Sequence, residues 1–254
     1  MGRSDLSLRS SRVHVVRLAA DGERELVQMM WGFPLIRKGY APKPVTNVRD
    51  NTVLTSSFWR PSFESRRCLV PASSYCEPDD KSPAGWHWFA LEPVEARPLF
   101  AFPGIWRRYR GQVKKDGPDI EIDVFAFLTT KPNALTSTIM HDRMPVLLSD
   151  ASQFERWLSG PADEAYKLVR TFDADGMGIV QSGGVKSDQL EGDVTVNRYS
   201  DRRDRLPAIA AAKPGQRAPK SKNGPLEGAV LASTSIIDTG LVLLRHSGLV
   251  LLRR

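Results

Sequence analysis

Between positions 1 and 181 the chain is broken into short runs of apolar, β-branched and aromatic residues separated by Gly, Pro, Asn and Asp. No other feature limits the fold as strongly, because segments of this length cannot supply long helices. Runs at 12–18, 25–31, 68–76, 86–91, 99–102 and 123–129 predict strands. Helical signals are fewer: one or two turns at 131–138, then 150–158 with Ser149 as N-cap, then 163–171 after Pro161. Many strands without regular helix alternation, followed by late helices, predict an α+β domain. Its centre is expected to be a strongly bent or barrel-like mixed β-sheet with a few peripheral helices.

The charge pattern separates this domain from the C-terminal part of the chain. Of the formal charge of +7 carried by the 254 residues, positions 182–254 hold 12 Lys+Arg against 7 Asp+Glu, a net of +5. Positions 1–181 keep only +2. We therefore expect a domain at 1–181, a basic, disordered linker at 182–225, and an apolar tail at 226–254 that repeats LVLLR at an eight-residue offset. The N-terminal segment lacks the apolar stretch of a secretory signal and no run is long and apolar enough to span a membrane, so a cytoplasmic address is expected. Two cysteines, Cys68 and Cys76, form no CxxC pair, and no His or Cys pair has zinc-like spacing. No metal, cofactor or membrane partner is expected.

Four places combine polar chemistry with apolar flanks. In Thr46-Asn47-Val48-Arg49, Asn47 offers an amide to a substrate oxygen, and Arg49, on the same side of an extended segment, can grip a phosphate. A turn Asn and a solvated Arg is the competing reading. The strand at 67–77 ends in Glu77, whose partial burial would raise its pKa toward the range useful in proton transfer; an ordinary edge carboxylate is the alternative. In Met140-His141-Asp142-Arg143, His141 can exchange protons and Arg143 can hold an anionic backbone, although a lone His is more often structural. The aromatic runs include Trp31-Gly32-Phe33-Pro34, where Trp31 and Pro34 could stack on unpaired bases or simply belong to the core.

Taken in order, WGFP, Asn47 with Arg49, RRCLVPA running to Glu77, FLTTKPN and HDRMPV resemble the SRAP family, the SOS-response-associated peptidases also described as abasic-site processing proteins. The resemblance covers roughly residues 15–182. It implies a monomeric sensor of abasic sites in single-stranded DNA, nucleoid-associated when bound. Family members use an N-terminal Cys whose α-amine condenses with the ring-opened sugar and whose thiol closes a thiazolidine; the peptidase label reflects self-removal of residues ahead of that Cys. By the resemblance Glu77 manages proton transfers at the amine, His141 assists ring opening and crosslink reversal, and Asn47 orients the reacting groups. Arg49 and Arg143 hold flanking phosphates.

The sequence departs from the family pattern in places. It begins Met1-Gly2-Arg3 without the Cys, Pro78 follows Glu77 where many relatives carry an aromatic, and Asp50-Asn51 replace the usual small residue and Glu. The domain therefore reads as N-terminally incomplete, through a start assigned too far downstream, a degraded gene or a genuine variant. Three functions stand: abasic-site crosslinking, single-stranded DNA binding without a covalent step, and a cysteine hydrolase pairing Cys76 with His141.

Overall fold

The computed structural model describes residues 12–184 together with Leu249–Val250. The N-terminal residues, the 185–225 part of the expected linker and most of the tail lie outside the described residues. Five strands close on themselves: β1 (Arg12–Leu18), β2 (Arg24–Trp31), β6 (Arg67–Ala72), β9 (Phe100–Gln112) and β10 (Asp119–Thr130). They pair in the order β10-β2-β1-β6-β9, and β9 pairs with β10 again, so the sheet is a closed barrel. β1 and β2, which precede Gly32, are both barrel members. Short strands β3 (Phe33–Leu35) and β4 (Lys43–Val45) form a hairpin, and β5 (Asn47–Arg49) pairs with β10.

A second sheet consists of β7 (Tyr75–Pro78), β8 (Trp86–Leu91), β12 (Met177–Gly183) and the two residues of β13 (Leu249–Val250), in the order β12-β8-β7-β13. The other elements among the described residues are β11 (Met144–Pro145), a 3-10 turn at Ala174–Gly176 and four short α-helices: α1 (Arg60–Ser65), α2 (Ala134–Ser137), α3 (Ala151–Ser159) and α4 (Ala162–Tyr166). The architecture is α+β with the bent, closed sheet that the segment pattern predicts.

The barrel strands carry two apolar faces because their side chains alternate. Met30, Leu69, Ala126 and Leu128 join a cluster with Phe63, Trp157 and Leu158 from the helices. Their neighbours Met29, Cys68, Val70, Phe125 and Phe127 join another with Tyr75 and Phe89 from the second sheet. Gly104 on β9 marks a close approach within the barrel: a Cβ there would sit 2.9 Å from Cys68 Sγ. Gly32, with φ of 111°, turns the chain from β2 into β3 while its N–H donates to Phe125 O at 2.8 Å.

Several elements differ from expectation for identifiable reasons. The single run 68–76 divides at buried Ser73 and Ser74, where the chain leaves the barrel for the second sheet. β9 continues as far as Gln112 because its polar half is matched across the hairpin: Arg110 faces Glu121 and Arg108 faces Asp123. The N-cap of α3 is Asp150 rather than Ser149, its carboxylate accepting from Gln153 N at 2.9 Å.

Arg67 fastens the helices to the barrel. Its buried guanidinium donates to the carbonyls of Phe63 at 3.0 Å, Trp157 and Gly160, and the Trp157 indole donates to Cys68 O at 2.9 Å. Burial holds the Arg67 pKa below its ordinary value. Replacing Arg67 by Met keeps the apolar stem and strands these carbonyls; we expect a loss of about 3 kcal/mol in urea unfolding, with the denaturant slope unchanged.

Candidate active site

The site is assembled at the C-terminal end of β10. On one edge, β5 pairs in parallel, Phe127 opposite Asn47 and Thr129 opposite Arg49. On the other, β11 pairs antiparallel, Thr130 opposite Met144. Residues from positions 47 and 141 are thereby brought to one strand end within about 10 Å along the strand direction. β7 of the second sheet supplies Glu77.

Glu77 and His141, distant in the chain, are both buried, and Glu77 Oε2 lies 3.2 Å from His141 Nε2. The other ring nitrogen, Nδ1, is 2.7 Å from the carbonyl of Arg143. A carbonyl only accepts, so Nδ1 carries a hydrogen and, in the neutral ring, Nε2 is a bare acceptor. Two bare acceptors cannot sit 3.2 Å apart in a buried space without repulsion. The pair therefore holds one proton between them, as imidazolium with carboxylate or as imidazole with carboxylic acid. The approach of Nε2 to Oε2 lacks the alignment of a full hydrogen bond.

Tyr75, two residues before Glu77 and on the same strand face, adds a third group. Burial and then the negative charge of Glu77 push its pKa far up, while Thr136 beside it works slightly the other way. It stays a phenol. Across the sheet, His87 is the partner of Glu77 in register and approaches Ser182 Oγ at 2.9 Å and Asp79 Oδ2 at 3.4 Å.

Asn47 is half-buried, and its side-chain oxygen is buried without a hydrogen-bond partner. Val48 points into the core and Arg49 is exposed on the same face as Asn47. Trp31 is half-buried, stacks on Phe127 at 5.4 Å and donates from its indole to Thr46 O at 3.1 Å, which fixes the residue ahead of Asn47. Pro34 is buried in β3 opposite Pro44 and does not stand out as a wedge.

Arg143 is engaged within the fold. Its guanidinium donates to Asp50 Oδ1 at 2.6 Å, Thr129 O at 2.5 Å and Thr129 Oγ1 at 3.1 Å, while Thr130 Oγ1 donates to Asp50 Oδ2 at 2.8 Å. The side chain thus locks the end of β5 to β10, and the backbone carbonyl of the same residue holds His141. Thr129, Thr130 and Asp50 as the holders of this lock, and Tyr75 as a neighbour of the pair, are not separable by sequence reasoning; only the departure at Asp50 pointed there.

The thiols lie away from this chemistry. Cys68 and Cys76 are fully buried and not in a disulfide, and burial pushes the Cys68 pKa far up. Cys76 precedes Glu77 on an extended strand and so faces the opposite side. A cleft of about 700 Å³ lined by Asn133, Gln153, Arg170 and Asp173 among others contains none of the predicted site residues. Among the described residues, no cluster of three or more His, Cys, Asp or Glu is placed to hold a metal ion.

Known proteins share this sequence pattern and this fold. The family model of the SOS response associated peptidase (SRAP) matches residues 7–182. The abasic site processing protein YoqW of Bacillus subtilis is 28% identical over 183 residues, covering 66% of this chain and 74% of that protein. YobE of the same organism, also called an abasic site processing protein, is 28% identical over 196 residues, covering 70% and 80%. A protein from Bacteroides thetaiotaomicron shares the fold at a TM-score of 0.53 with 22% identity, over 69% of this chain and 77% of its own. One from Bordetella bronchiseptica does so at 0.51 with 25% identity, over 69% and 84%.

Burial alone would raise the Asp50 pKa, but hydrogen bonds from Arg143, Thr130 and Asn51 N–H, with the charge of Arg143, outweigh it and hold it below its ordinary 3.8. A depressed folded pKa gives stability that is present above the unfolded value and lost as pH falls through the folded one. Asp50→Asn should therefore cost about 1–2 kcal/mol near neutral pH. The thermal unfolding of the two proteins should begin to converge only as pH falls below about 4.

Proposed function

Because the chain belongs to the SOS response associated peptidase (SRAP) family, we propose that it processes abasic sites in single-stranded DNA, using the Glu77–His141 pair for proton transfer. One observation carries the reading: two buried acceptors 3.2 Å apart that must share a proton. An abasic sugar is mostly a closed hemiacetal, and opening it needs a proton moved from the C1′ hydroxyl and another delivered to the ring oxygen. With the shared proton on His141, the imidazolium protonates O4′ as the C1′–O4′ bond breaks. Glu77 takes the hydroxyl proton, leaving the aldehyde and a pair that has regained its single proton.

Asn47 supports the same reading, since its unpartnered side-chain oxygen accepts from a sugar hydroxyl or from an incoming amine. Arg49, exposed on the face of Asn47, contacts a flanking phosphate. With the Arg143 charge compensated by Asp50, Arg143 serves chiefly to position His141 and β5. Trp31 shapes the wall beside Asn47.

An α-amine condensing with the aldehyde loses water to give an imine, and an adjoining thiol closes a thiazolidine; residues 1–11, where the family places these groups, lie outside the described residues. Complete burial keeps Cys68 and Cys76 out of such a ring, and the second reading is binding of the lesion without a thiol-sealed crosslink. Its signature is strongly salt-dependent binding with no heat-stable product.

The test is incubation with single-stranded DNA carrying one abasic site, with and without borohydride, which adds hydride to an imine and makes it permanent. We expect a borohydride-trapped adduct absent with intact DNA, formed roughly 100-fold more slowly by Glu77→Gln with little change in binding. Equal binding of abasic and intact strands, with no adduct under either condition, would overturn the reading. A heat-stable adduct without borohydride would exclude the binding-only alternative.

A further inference from the structure

Met140 carries two penalties at once. Its φ is 59°, in the left-handed region that a side chain beyond Cβ disfavours, and 69% of its surface is exposed. Its neighbours Ile139 and His141 are both buried. The conformation is imposed from both sides. Asn133 caps α2 by accepting from Thr136 N at 2.8 Å, and Met140 N donates to Ser137 O at 3.1 Å. His141 is then held by the Arg143 carbonyl. Glycine is the usual residue where a short helix ends in this conformation, and here a long apolar side chain stands in its place.

Four large apolar side chains are exposed among the described residues: Ile36, Tyr40, Leu54 and Met140. Met140 alone adjoins a member of the Glu77–His141 pair, its Cα about 3.8 Å from that of His141. Strain that the surroundings enforce at the door of a reactive pair has a use when the side chain it projects contacts substrate.

Resting on the proposed abasic-site function, we propose that Met140 enters the vacancy left by the missing base when an abasic strand docks. It would thereby distinguish abasic from intact DNA. An abasic nucleotide leaves its neighbours without a stacking partner, and an unbranched, polarizable thioether fills such a gap and packs on the exposed base face. An intact nucleotide already fills that space, so the same side chain obstructs it. Met140 is in this sense a specificity-determining residue, whereas Glu77 and His141 act on the sugar.

The test separates recognition from chemistry by using an unreactive tetrahydrofuran abasic analogue in a single-stranded oligonucleotide, measured against the intact oligonucleotide by fluorescence anisotropy at fixed salt. The wild-type chain should prefer the analogue. Met140→Gly should lose at least about five-fold of that preference, while Met140→Leu keeps most of it. Because glycine relieves the left-handed strain, Met140→Gly should unfold at no lower a temperature than the parent, so its loss is not a folding defect. A wild-type preference that Met140→Gly retains within two-fold overturns the role of Met140 and leaves the proposed function standing. No wild-type preference for the analogue overturns both.

Discussion

The closure of the barrel on β10 governs the rest of the structure. A strand offers a row of backbone donors and acceptors on each edge, and a buried strand has to satisfy both. β10 does so with four partners, β9 then β11 on one edge and β2 then β5 on the other. The handover on both edges falls near Phe127–Thr129, so two short segments that could not form a sheet alone flank the same strand end. Asn47 and the loop carrying His141 arrive together because β10 needs partners there. The position of the site is a consequence of backbone hydrogen bonding before it is a matter of chemistry.

That arrangement would be loose without a side-chain lock, since β5 has three residues and β11 two. Arg143 supplies it by reaching across β10 to Asp50, with Thr129 and Thr130 completing the set of acceptors and donors. The planar guanidinium binds several oxygens in fixed directions, a geometry an ammonium cannot reproduce. The same residue uses its carbonyl to choose the tautomer of His141. Fold stability and proton placement therefore share one residue, and disturbing its side chain should disturb the imidazole as well.

The strands were readable in the sequence wherever burial on one or both faces produced apolar runs, as at Arg12–Leu18 and Trp86–Leu91, which match residue for residue. They were hidden where charge pairing replaced burial: the polar half of β9 reads as loop until Glu121 and Asp123 are seen opposite its arginines. β3 and β4 were hidden by Pro34 and Pro44, which sit across from each other in a two-stranded hairpin. For the site, residue types and order singled out Asn47, Glu77 and His141 as candidates. Neither the contact between Glu77 and His141 nor the neutralisation of Arg143 by Asp50 was legible, because both depend on pairings between segments far apart in the chain. The left-handed backbone at Met140 was equally hidden, since no Gly, Asn or Asp announces it.

The choice between carboxylate and thiol chemistry comes down to the register of one strand. Successive residues of β7 face opposite ways, so a one-residue slip would present Cys76 to His141 and withdraw Glu77. The same slip would take Tyr75 out of its stack with Phe89, at 5.2 Å, and away from Phe102 and Phe100. Burying a side chain of that size is worth roughly 2–3 kcal/mol, and a slip would forfeit its packing against these rings. The aromatic core two residues upstream therefore decides which functional group meets the histidine. A peptidase of the cysteine–histidine kind would need a different core.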